Sequence, residues 1–248
     1  MNSVPTDTSP FQIQPIGHVR SCYGEKFGAP RQPGLVPSAR GMIVLEAPYH
    51  NPQAFAELQQ FSHIWVLFIF HQALRDTWTP SVRPPRLGGN KRIGVFASRS
   101  PFRPNPIGMS PLKLERIEFL EQSTRLHVSG LDLVDGTPVI DIKPYIPYVD
   151  SIEDACGGYA DTAPAIALAV EFSEAALVDC RALEQDYPGL EQLIRETLGA
   201  DPRPAYQGQA KAQGETREYG VKLYDLNIRW KVQDGVVQVL SIKPVEED

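Results

Sequence analysis

Leu112-Lys113-Leu114-Glu115-Arg116-Ile117-Glu118-Phe119, Arg125-Leu126-His127-Val128-Ser129-Gly130-Leu131-Asp132-Leu133 and Pro138-Val139-Ile140-Asp141-Ile142 follow one another with only short turn-rich breaks between them. Apolar and polar residues largely alternate, the period of strands that bury one face. The breaks are too short for the helical crossover that parallel neighbours require, so the three strands run antiparallel. Working outward, residues 11–20, 41–47 and 93–97 are short, branched and apolar, and residues 64–70 form a continuous apolar run suited to a strand buried on both faces. Seven strands result. One helix interrupts them at residues 54–60, with Asn51 as its cap and Pro52 at its first position. The prediction is an antiparallel, barrel-like sheet.

After Tyr148 the character changes. Residues 151–164 are rich in Gly, Ala, Asp and Pro, which marks a linker. Ser173 caps a predicted helix reaching Asp186, and a second helix covers residues 189–198 after the Tyr187-Pro188-Gly189 break. Two long strands, residues 219–232 and 236–242, flank Asp234-Gly235, a dipeptide suited to a tight hairpin turn. The fold class is therefore mixed: a small antiparallel β-barrel domain over residues 1–155, then a smaller α+β domain over residues 165–248.

Composition agrees. A chain of 248 residues, 42% hydrophobic, can bury one sizeable core or a core of about 150 residues with an appendage. Cys22, Cys156 and Cys180 are odd in number and widely spaced, the pattern of ordinary thiols in a reducing compartment. Residues 1–10 form a polar, proline-containing tail without the basic-then-apolar pattern of an export signal. Residues 64–70 fall far short of the roughly 20 needed to cross a bilayer. A cytoplasmic protein without a membrane span is expected. No paired cysteines and no HExxH are present, so no metal site is expected.

The net charge of −6 argues against a nucleic-acid partner until its distribution is read. Between Thr77 and Leu114 there is no acidic residue, whereas Arg83, Arg86, Lys91, Arg92, Arg99, Arg103 and Lys113 are all positive. From Asp150 to Asp201 the balance reverses, with Arg181 and Arg195 the sole cations. One anion-facing surface and one solvated acidic surface follow.

Three loops carry residues that packing does not explain. They are Lys26-Phe27-Gly28-Ala29-Pro30-Arg31-Gln32-Pro33-Gly34, the arginine-rich stretch of residues 83–92, and Ser98-Arg99-Ser100-Pro101-Phe102-Arg103-Pro104-Asn105-Pro106-Ile107-Gly108. Prolines fix the backbone, glycines admit a close approach, and arginines fork onto phosphates or carboxylates. A fourth segment, Ser129 to Pro138, ends a strand with Asp132 and Asp135, which either hold a ligand or cap a turn. His71 ends the apolar run at a pocket rim; His18 and His63 read as core residues, His50 and His127 as surface ones. There is no GxGxxG, no phosphate loop and no GxSxG nucleophile elbow, so the ordinary Rossmann, NTPase and hydrolase classes are excluded.

At these loops the chain resembles the TsaA-like, or TrmO, family of tRNA adenine-N6 methyltransferases. The matching segments are residues 30–34, 61–63, 70–72, 82–89, 102–108, 131–138, 141–145 and 201–206. The resemblance implies a β-barrel methyltransferase, typically a homodimer, that uses S-adenosyl-L-methionine. It further implies methylation of N6 of threonylcarbamoyladenosine at position 37, beside the anticodon of threonine tRNA. Carried over by position, Pro30, Arg31, Gln32, His71, Gln72, Arg99, Met109, Ser129, Gly130, Leu131 and Asp132 resemble the cofactor contacts. Residues 102–107 and 143–145, with Asn105, Lys143 and Tyr145, would lie near the acceptor base. Arg83, Arg86, Lys91, Arg92, Arg103 and Arg203 would hold the anticodon arm of the tRNA.

The implied chemistry asks for proximity, since the methyl donor is already activated, and for a modest base, since a carbamoylated N6–H is acidified. Asp132, Asp135 and His71 are the candidates. A cation near the carbamoyl oxygen would stabilise developing charge, and a loop arginine could pair with the threonyl carboxylate. A second reading is a non-catalytic β-barrel RNA-binding module that relies on stacking. Only Phe96 and Phe102 lie in the densest basic stretch, which is sparse for that role.

Overall fold

The computed structural model describes residues 12–163, 168–203 and 217–245. β1 (Gly17–Ser21), β2 (Arg40–Glu46) and β3 (His63–Ile69) precede a short ribbon of β4 (Ser81–Val82) and β5 (Ile93–Gly94). β6 (Ile107–Phe119), β7 (Ser123–Ser129) and β8 (Pro138–Pro144) follow. Six of these strands close an antiparallel barrel in the order β1-β2-β7-β6-β3-β8, with β8 returning to β1. Inward-facing Val19, Ile43, Ile64, Val66, Leu112, Leu126 and Val139 are essentially inaccessible, each contributing about 1.5–3 kcal/mol by burial. Gly108 lets the Phe68 ring fill the barrel: a Cβ there would stand 2.3 Å from that ring.

A one-turn helix α1 (Pro147–Asp150) leads into an irregular stretch as far as residue 163, in keeping with the linker composition. Beyond it come β9 (Ala169–Phe172), α2 (Glu174–Leu183), α3 (Leu190–Gly199), β10 (Glu218–Leu223), β11 (Leu226–Gln233) and β12 (Val236–Pro244). The sheet order is β10-β11-β12-β9, with β9 parallel to β12. Ser173 caps α2 by accepting from the Ala176 N–H, and Asp234 and Gly235 both take positive φ to close the β11–β12 hairpin.

Several expectations are corrected. Residues 54–60 are not an α-helix but two 3₁₀ turns, Pro52–Phe55 and Leu58–Gln60, separated by Glu57 in a left-handed conformation. So short a helix has little stability of its own, and Phe55 is buried beside Phe119. Residues 93–97 do not join the barrel: β5 pairs with β4 for two residues and then turns. Pro80, Pro84 and Pro85 bracket β4 and cannot donate to a longer ladder. Residues 219–232 are two strands, because Tyr224 adopts φ 56 and donates its N–H to the Cys22 carbonyl. The parity of the buried residues changes there, from Val221 and Leu223 to Leu226, Ile228 and Trp230. β9 is an element that the pattern reading does not include. His63 is exposed rather than core, and His18, His50 and His127 are half-buried. Residues 1–10, and residues 204–206 of the resembling segments, lie outside the described residues.

Barrel and C-terminal sheet share one continuous apolar core. The segment between β1 and β2 is clamped between them. Cys22 and Tyr23 are fully buried, the Ser38 N–H and hydroxyl both donate to Glu196 of α3 at 2.9 and 2.6 Å, and Gly28 lies against Val221. A loop of broken sequence thus becomes a rigid shelf. Cys22, Cys156 and Cys180 are free thiols, the first pushed up to about 12 by burial.

Candidate functional site

The shelf carries Pro30, Arg31 and Gln32 to the end of the barrel where β3 finishes. Gly34 donates its N–H to the Gly130 carbonyl at 2.8 Å, and Gly130 donates its own to Ala39 at 2.9 Å. Gly130 has φ 69, a left-handed geometry that side chains resist, and this ends β7 and swings Leu131 and Asp132 back along β6. Leu131 is buried and anchors the turn. Asp132 then reaches the barrel mouth, where its Oδ1 accepts a hydrogen bond from the Ser110 hydroxyl at 2.8 Å.

Ser110 is 1% exposed and faces inward between Gly108 and Leu112. Its partner is held in an apolar setting: burial pushes the Asp132 carboxyl up to about 6, against the opposing pull of Ser110, of its own backbone N–H and of the Arg99 guanidinium. Arg99 donates to Gln32 Oε1 at 2.6 Å, and the Gln32 amide donates to the Arg31 carbonyl at 2.6 Å. Arg31 itself donates to the Arg203 carbonyl at 3.2 Å. His71 and Gln72 form the 3₁₀ turn directly after β3, tied to the shelf by Lys26, whose ammonium donates to the Gln72 carbonyl. Met109 pairs with Leu67 across the β3–β6 ladder and has half of its surface exposed. Arg31, Gln32, Arg99 and Asp132 therefore share one barrel mouth, with the His71–Gln72 turn at its rim, whereas Met109 faces outward, alternating with the inward Gly108 and Ser110.

Asp135 differs from Asp132. It accepts from the Ser21 N–H at 2.8 Å and pairs with Arg20 at 3.4 Å across a solvent-exposed turn. Ser129 and Gly130 also wall a cleft of about 590 Å³ that runs along the outside of the barrel past Arg40 and Lys113 to His63, with Gln192 of α3 opposite. The Ser129 hydroxyl donates to Glu115 at 2.6 Å, and this bond and Lys113 hold the Glu115 carboxyl below the usual range.

The cationic set divides. Arg83, Lys91 and Arg92 are exposed, Arg92 touches the Ser81 hydroxyl at 3.4 Å, and Arg86 donates to the Thr162 carbonyl. Arg103 donates to the Ser98 carbonyl at 3.3 Å, and Asn105 is exposed at the tip of its loop. No carboxylate among the described residues pairs with Arg83, Arg86, Lys91, Arg92, Arg99 or Arg103. Lys143 and Tyr145 lie apart from them, toward the opposite end of β3: Lys143 is paired with Asp141 at 2.7 Å, and Tyr145 packs on Trp65 and His63. Arg203 is largely buried in a two-pronged ion pair with Asp201, at 2.7 and 2.8 Å. Sequence reasoning missed Ser110, Arg40 and the Ser38–Glu196 tie. Only Ser110 left a signal, a hydroxyl on the otherwise apolar face Gly108, Leu112, Leu114.

A closed antiparallel barrel whose mouth gathers two guanidiniums, amides and one hydroxyl-bonded carboxylate belongs to the ligand-binding barrels, outside the Rossmann plan. Comparison with known proteins makes the class particular. The family described as tRNA-methyltransferase O N-terminal domain matches residues 18–151, and the TrmO C-terminal domain matches residues 165–245. The chain belongs to the TrmO family. It is 50% identical to the tRNA (adenine(37)-N6)-methyltransferase of Escherichia coli, over 95% of this chain and 99% of that one. It is 47% identical to a putative S-adenosylmethionine-dependent methyltransferase, RcsF, of Pseudomonas aeruginosa, over 93% of this chain and 96% of the relative. A crystal structure of TrmO from Pseudomonas aeruginosa superposes with a TM-score of 0.79 at 40% identity, covering 96% of this chain and all of the other.

Proposed function

We propose that this chain is an S-adenosyl-L-methionine-dependent tRNA (adenine-N6)-methyltransferase that acts at position 37. The observation that carries the reading is the convergence of Arg31, Gln32, Arg99 and Asp132 at one mouth of a TrmO-family barrel. The donor set suits the cofactor: Arg31 and Arg99 face no carboxylate partner within salt-bridge distance among the described residues and suit its carboxylate. S-adenosyl-L-methionine, when bound, supplies a methyl group already activated by its sulfonium.

The residues of the chain then have two tasks. The shelf, braced by α3 and β10, holds Arg31 and Gln32 in place, so the barrel domain meets its ligands preorganised. Asp132 takes the N6 proton: a carboxylate poised near 6 by burial is ionised at neutral pH yet basic enough to accept it. Asp135, tied to Ser21 and Arg20, is left as a turn cap, and His71 as a rim residue. The favoured acceptor is threonylcarbamoyladenosine in threonine tRNA, whose threonyl carboxylate suits one of the unpaired arginines. The reading further includes a cytoplasmic homodimer, with the anticodon arm lying along Arg83, Arg86, Lys91, Arg92 and Arg103.

Purified protein given methyl-labelled S-adenosyl-L-methionine should label threonine tRNA that carries threonylcarbamoyladenosine, with label in the N6-methylated nucleoside after digestion. Threonine tRNA lacking the carbamoyl group should stay unlabelled. Failure to bind S-adenosyl-L-methionine, or equal labelling of both tRNAs, refutes the activity or its selectivity respectively; light scattering tests the dimer.

A further inference from the structure

Trp78 lies outside the densest basic stretch, yet the fold lays its ring against Phe96, with centroids 6.1 Å apart and planes 27° from parallel. Both are open to solvent: Phe96 is 72% exposed and Trp78 48%. Arg103 stands over Phe96 at 6.0 Å, and Arg75 lies on the Phe102 ring at 3.8 Å. Arg75, Trp78, Phe102 and Arg103 line a hollow of about 170 Å³. The loops are locked together, since Thr79 donates its N–H to the Phe102 carbonyl at 3.1 Å and Val95 to that of Pro80 at 3.0 Å.

Exposed stacked rings carry no packing role, and large exposed apolar groups clustered in one place mark an interaction site. Here they are interleaved with guanidiniums that no carboxylate among the described residues neutralises. Flat rings beside unpaired cations match the two faces of single-stranded nucleic acid, bases that stack and phosphates that pair. Phe102 is three residues from Arg99, so their Cα atoms are at most about 11 Å apart. The patch thus adjoins the mouth.

We infer that Trp78, Phe96 and Phe102, with Arg75 and Arg103, form a stacking platform for unpaired RNA bases that flank the base held at the mouth. The inference rests on the tRNA reading above and adds to it a surface that selects an open loop over a duplex. Titration of the intact protein with an RNA stem–loop of anticodon-arm size, followed by tryptophan fluorescence, tests it without methyl transfer. Trp230 is buried and Trp65 is half-buried against Tyr145, so stacking on Trp78 is read as the part of the stem–loop quench that Trp78→Phe removes, and a fully paired RNA duplex should not produce it. Phe96→Ala and Trp78→Ala should each weaken stem–loop binding about tenfold and raise KM for tRNA with little change in kcat. Their salt dependence should match that of the parent, because stacking releases no counterions. Trp78→Phe should restore most of the affinity. Parental affinity in both alanine variants, or equal weakening toward duplex, overturns the platform. So does a shift in oligomeric state with RNA affinity intact, which would make the patch a contact between copies. A protein that fails to methylate tRNA but loses stem–loop affinity through these rings would keep the platform and remove the activity instead.

Discussion

Ser110→Ala removes one hydroxyl and almost no volume, and its effect can be worked from the site. The Ser110 hydroxyl stabilises only the ionised form of Asp132, so its loss must move that carboxyl further up from about 6. A hydrogen bond to a charged group is worth about 1.5–3 kcal/mol, which corresponds to roughly one to two pH units. At pH 7 the parent site is about nine-tenths ionised, and the variant would be between about one-half and one-tenth ionised. Initial rates at low tRNA concentration, measured as kcat/KM, report groups of the free enzyme. The acid limb of that profile should therefore move upward by about one to two units, with a roughly two- to tenfold loss at pH 7 that disappears in alkali. Ser110→Thr keeps the donor and should keep the limb. A limb that does not move, or a loss of the same factor at every pH, refutes Asp132 as the proton acceptor and Ser110 as the residue that positions it.

Asp132→Asn should abolish methyl transfer yet stabilise the fold. A carboxyl raised from 3.8 to about 6 in the folded state costs stability that sets in above about pH 4 and is complete above about pH 6, up to about 3 kcal/mol. Urea titrations should show the variant gaining at pH 8 and not at pH 4; equal gains at both would deny the shifted carboxyl. Arg31→Ala and Arg99→Ala should weaken S-adenosyl-L-methionine binding in calorimetry, whereas Arg92→Ala should weaken tRNA binding and lower its salt slope by about one. Identical effects on both ligands would contradict that division. Gly108→Ala places a methyl 2.3 Å from the Phe68 ring and should cost about 1–3 kcal/mol; an unchanged thermal midpoint would show that the barrel interior yields.

Local sequence carried the barrel, because alternation over residues 112–142 and connections too short for helices leave antiparallel pairing as the available solution. It also carried the Asp234-Gly235 hairpin, the Ser173 cap and the cationic loops, all of which depend on residues close in the chain. It failed at residues 54–60, 93–97 and 219–232, where buried Phe55, the prolines around β4 and the Tyr224 bond to Cys22 override short-range preference. Tertiary structure alone brought Ser110 to Asp132, Arg99 to Gln32, Glu196 to Ser38 and Trp78 to Phe96, and separated Lys143 and Tyr145 from the mouth. Those encounters join segments up to 158 residues apart. Their geometry depends on barrel closure and on the C-terminal sheet pressing against the shelf, and no spacing along the chain encodes either.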